Sequence, residues 1–295
     1  MDLIELIKKY PNQESCIRFL EEKRWGNEIK CPYCQGVKTK RVKNEHRHKC
    51  YICNRSFSVL VGTIFEATKL SLQKWFIAIY LIVDAKKGIS SLQLSRHLKI
   101  NKDTALLLQR RIRKAMRESH ILNGIVEIDE TYVGGSMIKM SKKIKDEKGY
   151  YPGGMNHKTP VLGMYQREGK LILNVLEKAW SKEIRPIMDM QINPNSIIVS
   201  DGFGAYRHSK KAFADHFSMN HIKHKYKEGI YNTSTIEGFW AILKRAVIGT
   251  YHHISVKYLQ EYMDEIAFKF NYRKHPDPFE TIINKAFERF LPFAG

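Results

Sequence analysis

Three acids and one lysine carry the spacing that suggests chemistry. Asp201 follows an apolar run, SIIVSDG, and 35 residues separate it from Glu237, which lies in YNTSTIEGFWAILKR. Asp129 closes another apolar run, GIVEIDET, and Lys244 stands seven residues beyond Glu237. Ile236, Phe239, Leu243 and Val247 recur every three or four positions, the pattern of a helix packing one face on a core. Glu237, Ala241 and Lys244 fall one and two turns apart on a neighbouring face. Two carboxylates at strand ends and one on a late helix suit a site that holds two divalent cations for phosphoryl transfer. Each acid also has an ordinary reading. Ser234 and Glu237 fit a capping box, Asp201-Gly202 fits a turn, and Asp129-Glu130 fits an exposed strand end. Asp129 and Glu130 point to opposite faces of a strand, so only one of them can join the site.

A second set of ligands lies earlier. Cys31-Pro-Tyr-Cys34 and Cys50-Tyr-Ile-Cys53 are separated by fifteen residues, the spacing of a structural zinc site built from two knuckles. Such a ribbon has little core, so one Zn²⁺ supplies much of its folding energy. His46 and His48 could substitute as ligands, but are expected as surface residues beside Arg41, Lys43, Arg47 and Lys49. Cys16 is expected as a small buried hydrophobe.

Between these sets the chain reads as helical from 66 to 120. LSLQKWFIAIYLIVDAKKG is one amphipathic helix. Ser91 can cap a short second helix, and a turn at Lys99 to Asp103 leads into a third from Thr104. Helix, short turn, helix is a helix-turn-helix pattern. Eight basic residues and one acid lie between Arg96 and Arg117. Contact with a nucleic-acid backbone through Arg96, Arg110, Arg111, Arg113 and Lys114 is expected; a solvated basic linker is the plainer alternative.

The whole 295-residue chain carries 50 Lys and Arg against 30 acids, a net charge of +20, with 43% hydrophobic residues. That balance is globular, long enough for roughly two domains, and points to a polyanionic partner. The first residues carry acids and no long apolar run, unlike a signal peptide. The longest apolar run, Trp75 to Val83, is far short of the ~20 residues a membrane span needs. A cytoplasmic protein with reduced cysteines is expected.

From 121 to 230 strands and helices alternate. Strands are expected at Gly124–Asp129, Pro160–Gln166, Leu171–Leu176, Ser196–Ser200 and Phe217–His224, with a helix over Ser181–Gln191. Met137 to His157, with five lysines, reads as an inserted loop. The last 45 residues read as an amphipathic helix broken at Pro276 and Pro278 and a short final helix from Phe279.

These motifs together resemble a known group. Asp129, Asp201, Glu237 and Lys244 resemble the signature of DDE transposases and retroviral-type integrases. IDETYVGG, SDGFGAY and NTSTIEGFWAILKR…GTYHHIS are similar to a bacterial insertion-sequence subgroup with an N-terminal zinc ribbon. The resemblance runs from about Trp25 to Arg273. It implies an α/β fold: an RNase H-like domain, with a mixed five-stranded sheet and flanking helices, over 121–250. A helical lead-in (1–25), the ribbon (26–65) and the helix-turn-helix-like segment (66–120) precede it, and C-terminal helices (251–295) follow.

The resemblance also implies that Asp129 and Asp201 come together at the ends of adjacent strands. With Glu237 they would hold two Mg²⁺ (or Mn²⁺) ions, and Lys244 would hold DNA. Asn232 is left as an alternative third catalytic residue. The implied activity is cleavage at element ends followed by 3′-hydroxyl strand transfer into target DNA, by a dimer or higher oligomer in the nucleoid. A cleavage-only nuclease or resolvase, and a non-enzymatic DNA-binding regulator, are the competing readings.

Overall fold

The computed structural model describes residues 1–134, 158–219, 231–252 and 254–287. The chain divides into two compact units, one formed by residues 1–116 with the described residues from 275 on, the other by Arg117–Lys274. The sequence-predicted loop at 137–157 and the far end of the fifth predicted strand lie outside the described residues.

The first unit opens with α1 (Leu3–Lys9) and α2 (Gln13–Trp25). Asp2 with Glu5 closes a reciprocal capping box on the first, and Asn12 with Ser15 does so on the second. A small antiparallel sheet follows, β1 (Thr39–Arg41), β2 (His48–Cys50) and β3 (Ser56–Phe57). Then come α3 (Leu72–Asp84), α4 (Ser91–Leu98) and α5 (Lys102–Ala115). The cap of α4 is Ser90, which accepts from the Gln93 N–H; Ser91, expected there, is the first helical residue. Lys99 turns the chain in the left-handed conformation, and Asn101 caps α5, so α5 begins two residues before the expected Thr104. An aromatic cluster of Tyr10, Phe19, Phe76 and Phe279 binds the helices together, with ring centroids 4.8 to 5.4 Å apart for Tyr10–Phe19, Tyr10–Phe76 and Phe76–Phe279.

The second unit is built on β4 (Ile125–Val133), β5 (Thr159–Gln166), β6 (Leu171–Val175), β7 (Ile197–Asp201) and β8 (Asp215–Met219). Their spatial order is β6-β5-β4-β7-β8. The first three form an antiparallel meander, while β7 runs parallel to β4 and β8 parallel to β7. The connection from β6 to β7 carries α6 (Ser181–Gln191), the span expected, and a short α7 (Ser209–Ala212) precedes β8. This is the mixed five-stranded RNase H-like arrangement, with the first and fourth strands side by side.

Alternation along β4 sets the two faces of the sheet. Val126 and Ile128 join Leu162, Met164, Ile184 and Met188 on the α6 side. Glu127, Asp129, Thr131 and Val133 face the other way. There α8 (Ser234–Ala246) and α9 (Leu259–Asn271) cover the sheet with Ile236, Phe239, Trp240, Leu243 and Met263. The two C-terminal helices separate: α9 belongs to the second unit, whereas α10 (Pro278–Lys285) belongs to the first, where Phe279, Ile282 and Ile283 are buried.

Candidate active site and metal centre

Parallel pairing brings the first two acids together, although the first strand does not end at Asp129 as expected. β4 runs on to Val133 because Thr131 and Val133 continue its pairing with β5, so Asp129 sits in mid-strand beside the end of β7. Ile128 is in register with Ser200, so Asp129 and Asp201 follow side by side on β4 and β7. Asp201 Oδ1 accepts from the Phe203 N–H at 3.0 Å, which turns the chain away from the strand end. Asp129 is half-buried. Its Oδ1 accepts from the Glu130 N–H at 2.9 Å, and its Oδ2 accepts from Trp240 Nε1 at 2.8 Å. Trp240 lies one turn beyond Glu237 on α8, so this bond ties the helix of the third acid to the strand of the first.

The electrostatics record the convergence. Burial pushes the Asp129 carboxyl up to about 6. The Trp240 and Glu130 hydrogen bonds oppose that rise, and the charges of Asp201 and Glu237 add to it. Glu130 points to the opposite face, where it accepts from the Tyr206 hydroxyl. Burial pushes its carboxyl up to about 7, opposed by the Tyr206 bond and reinforced by Asp201 and Asp129. The acids thus repel one another through a partly desolvated region, a field that bound cations would relieve. Hard carboxylate oxygens are the donors Mg²⁺ and Mn²⁺ prefer.

The capping box of Ser234 and Glu237, the plain alternative to a functional Glu237, does not form. The N-cap of α8 is Thr233, whose side chain makes no capping bond; its hydroxyl instead donates to Glu237 Oε1 at 2.6 Å. Glu237, Ala241 and Lys244 are exposed along one stripe. Asn232 Oδ1 accepts from the Ser234 N–H at 3.2 Å and from its hydroxyl.

Four residues that sequence reasoning does not single out organise this region. Trp240 is a hydrogen-bond donor to the first acid. Glu127 and Arg167 hold the start of α8. Gly163 pairs directly with Asp129 across β4 and β5; a Cβ there would stand 2.6 Å from Trp240 Cη2 and 2.9 Å from Ile236 Cδ1. The one available signal is the acid in the middle of the apolar run GIVEIDET.

Cys31, Cys34, Cys50 and Cys53 present sulfurs all within 4.8 Å of one another. The Cys31–Cys53 and Cys34–Cys50 sulfurs are 3.7 and 3.6 Å apart. Thiolates about 2.3 Å from one zinc at the tetrahedral angle stand roughly 3.8 Å apart, so the cage fits that ion. Among the described residues this is the one group of three or more such ligands that closes so tightly; Asp129, Asp201 and Glu237 do not. Cys16 is buried on α2 away from it, with burial pushing its thiol up to about 12.

Two surface expectations need correction. His48 is only 1% exposed. Its Nε2 bonds Glu21 at 2.9 Å, and its ring stacks on Phe57 with Trp25 edge-on; it joins α2 to the ribbon. Arg113, expected among the DNA-contacting residues, is also only 1% exposed, because its position on α5 turns inward beside Gln109 and Ile112. Arg111 Nη1 donates to the Glu66 carbonyl at 2.8 Å. Arg96 is exposed, and Arg110 and Lys114 are half-exposed.

A family profile described as the ISXO2-like transposase domain matches residues 121–271, and one described as the transposase zinc-ribbon domain matches 11–56. The chain belongs to the ISXO2-like transposases. A relative from Halobacterium salinarum, an uncharacterized protein in transposable element ISH50, is 26% identical over 255 residues, covering 81% of this chain and 84% of its own. That organism is an archaeon, so the resemblance is not confined to bacteria. Among solved structures, the pre-cleavage Mos1 transpososome aligns at 10% identity over 98% of this transposase and 97% of its own chain, with a TM-score of 0.29. A simian T-cell lymphotropic virus intasome aligns at 10% identity over 56% and 57%, with a TM-score of 0.26. The fold assignment rests on strand order and register rather than on these. No described helix of the transposase is long and apolar enough to cross a membrane.

Proposed function

We propose that this transposase binds the ends of its own element, cleaves them in a metal-dependent reaction, and joins the new 3′-hydroxyl to target DNA. The observation that carries the reading is the joint placement of Asp129 and Asp201 by the β4–β7 register, with α8 tied to Asp129 through Trp240. Asp129, Asp201 and Glu237 would hold Mg²⁺ or Mn²⁺, and two such ions would activate the attacking oxygen and stabilise the leaving one. Lys244, on the stripe of Glu237, supplies a compact positive charge suited to a phosphate. The +20 charge of the chain favours approach to DNA. Arg96, Arg110 and Lys114 on α4 and α5 are the proposed backbone contacts.

The protein incubated with its own element ends and Mg²⁺ should release 3′ ends and then join them to a target duplex. Cleavage without joining would assign a nuclease. Binding without either would assign a regulator.

A further inference from the structure

We infer that Glu127 is a positioning residue of this site, the buried post on which the helix of Glu237 is hung. The inference rests on the reading of Glu237 as the third acid. Glu127 is 0% exposed in the middle of β4, two residues before Asp129 and on the same face. Its Oε2 accepts from the N–H groups of Thr235 and Ile236 at 3.2 and 3.1 Å. These belong to the first turn of α8, whose N–H groups have no partner within the helix, and a negative charge there also suits the helix dipole. Its Oε1 accepts from Arg167 Nε at 3.0 Å, and Arg167 Nη2 donates to the Asn232 carbonyl at 2.8 Å. One carboxylate and one guanidinium therefore fix the chain on both sides of the helix start.

A buried ion pair is an expensive way to cap a helix, since desolvation offsets much of its attraction. A local Ser, Thr or Asp cap would serve stability alone. Thr233 occupies that position, yet its hydroxyl is turned to Glu237. The local cap orients the acid, and Glu127 caps the helix in its place. Since β4 also carries Asp129, one rigid strand sets the height of Glu237 against Asp129.

The test measures single-turnover end cleavage against Mg²⁺ concentration for E127Q, R167K and E237Q, well below each melting temperature, with end binding measured in parallel. E127Q and R167K should bind ends normally, cleave about 10–100-fold more slowly, as outer-shell changes do, and need more Mg²⁺ for half-maximal rate. A purely structural role would lower the melting temperature and leave the Mg²⁺ requirement unchanged. Parent rate and Mg²⁺ dependence in E127Q, with E237Q inactive, overturns the inference while the site reading stands. Normal cleavage by E237Q overturns the site reading itself. Should E127Q fail to fold, R167K, at the half-exposed end of the pair, decides in the same way.

Discussion

Asp129 and Gly163 face one another across the antiparallel pair β4–β5, and the space that Gly163 leaves is filled by Trp240, the residue that donates to Asp129. The glycine acts on the site through volume rather than through backbone freedom. Its missing side chain lets α8 approach the sheet closely enough for the indole N–H to reach the carboxylate.

Gly163→Ala should therefore push the indole aside. Overpacking of this kind costs about 1–3 kcal/mol, and the Asp129 hydrogen bond should weaken with it. The melting temperature and the rate of end cleavage should both fall, and Trp240→Ala should partly restore stability but not cleavage. An alanine protein with parent values for both would show that Trp240 does not fill that space.

The existence and order of the strands, the α6 span and the cysteine pairs are legible in the sequence because each depends on local pattern; the end of the first strand is not, since β4 continues past Asp129 to Val133. SIIVSDG is an apolar strand followed by a turn, and Cys-x-x-Cys aims two thiolates wherever it occurs. Glu127 is visible only as an acid inside the apolar run GIVEIDET, and its role is not legible, because an acid that alternates with apolar residues reads as the solvent face of a strand; its partners Arg167 and Thr235 lie 40 and 108 residues away. Arg113 and His48 mislead for the opposite reason. Their basic neighbours suggest a charged surface, and burial depends on which helix face or strand face packs. The break at Pro276 and Pro278 is visible, but nothing local shows that α9 and α10 go to different units.

The ribbon should hold one zinc ion per chain. Cys50→Ser removes one of four thiolates from a site whose protein core is little more than Phe57, Trp25 and the cysteines. Zinc content should fall, and amide protection should be lost over 26–60 while the strands of the RNase H-like sheet keep theirs. Protein purified without chelator that contains no zinc would refute the assignment.

The corrected basic face makes a graded prediction. Replacing Arg96, Arg110 and Lys114 by glutamine should flatten the dependence of log affinity on log salt by about 0.9 for each phosphate no longer neutralised. Arg113→Met should leave that slope unchanged and lower the melting temperature, because the residue is buried. A slope change on Arg113→Met, or none in the triple variant, would reassign the surface.

Asp264 on α9 supplies a pH test away from the proposed metal ligands. Burial pushes its carboxyl from 3.8 to about 6; the Gln260 hydrogen bond and Arg117 oppose the rise, and Glu261 and Glu118 add to it. A carboxyl raised on folding binds more protons in the folded state across that window, so stability falls as pH rises through it. Asp264→Asn keeps the shape and removes the charge. It should stabilise the protein at pH 8 by on the order of 2 kcal/mol, with the gain vanishing below pH 4. An equal gain at both pH values would exclude the charge as the cause.

The acids themselves separate the readings most sharply. Asp129→Asn, Asp201→Asn and Glu237→Gln each retain shape and lose charge. A carboxylate that holds a cation against a charged transition state should cost at least about 2.7–4 kcal/mol when removed, a hundredfold or more in rate. End binding should survive in all three. Asp129→Asn should in addition preserve or raise stability at neutral pH, because a buried, repelled carboxylate is removed. Glu237→Gln is the discriminating protein. Its amide oxygen can still accept from Thr233, so a Glu237 that only orders the first turn of α8 would survive the change and cleave almost normally. Inactive Asp129→Asn and Asp201→Asn beside an active Glu237→Gln would transfer the third position to another residue, Asn232 first, whose Oδ1 lies at the same helix entry. Normal cleavage by all three would remove the carboxylate mechanism from this chain.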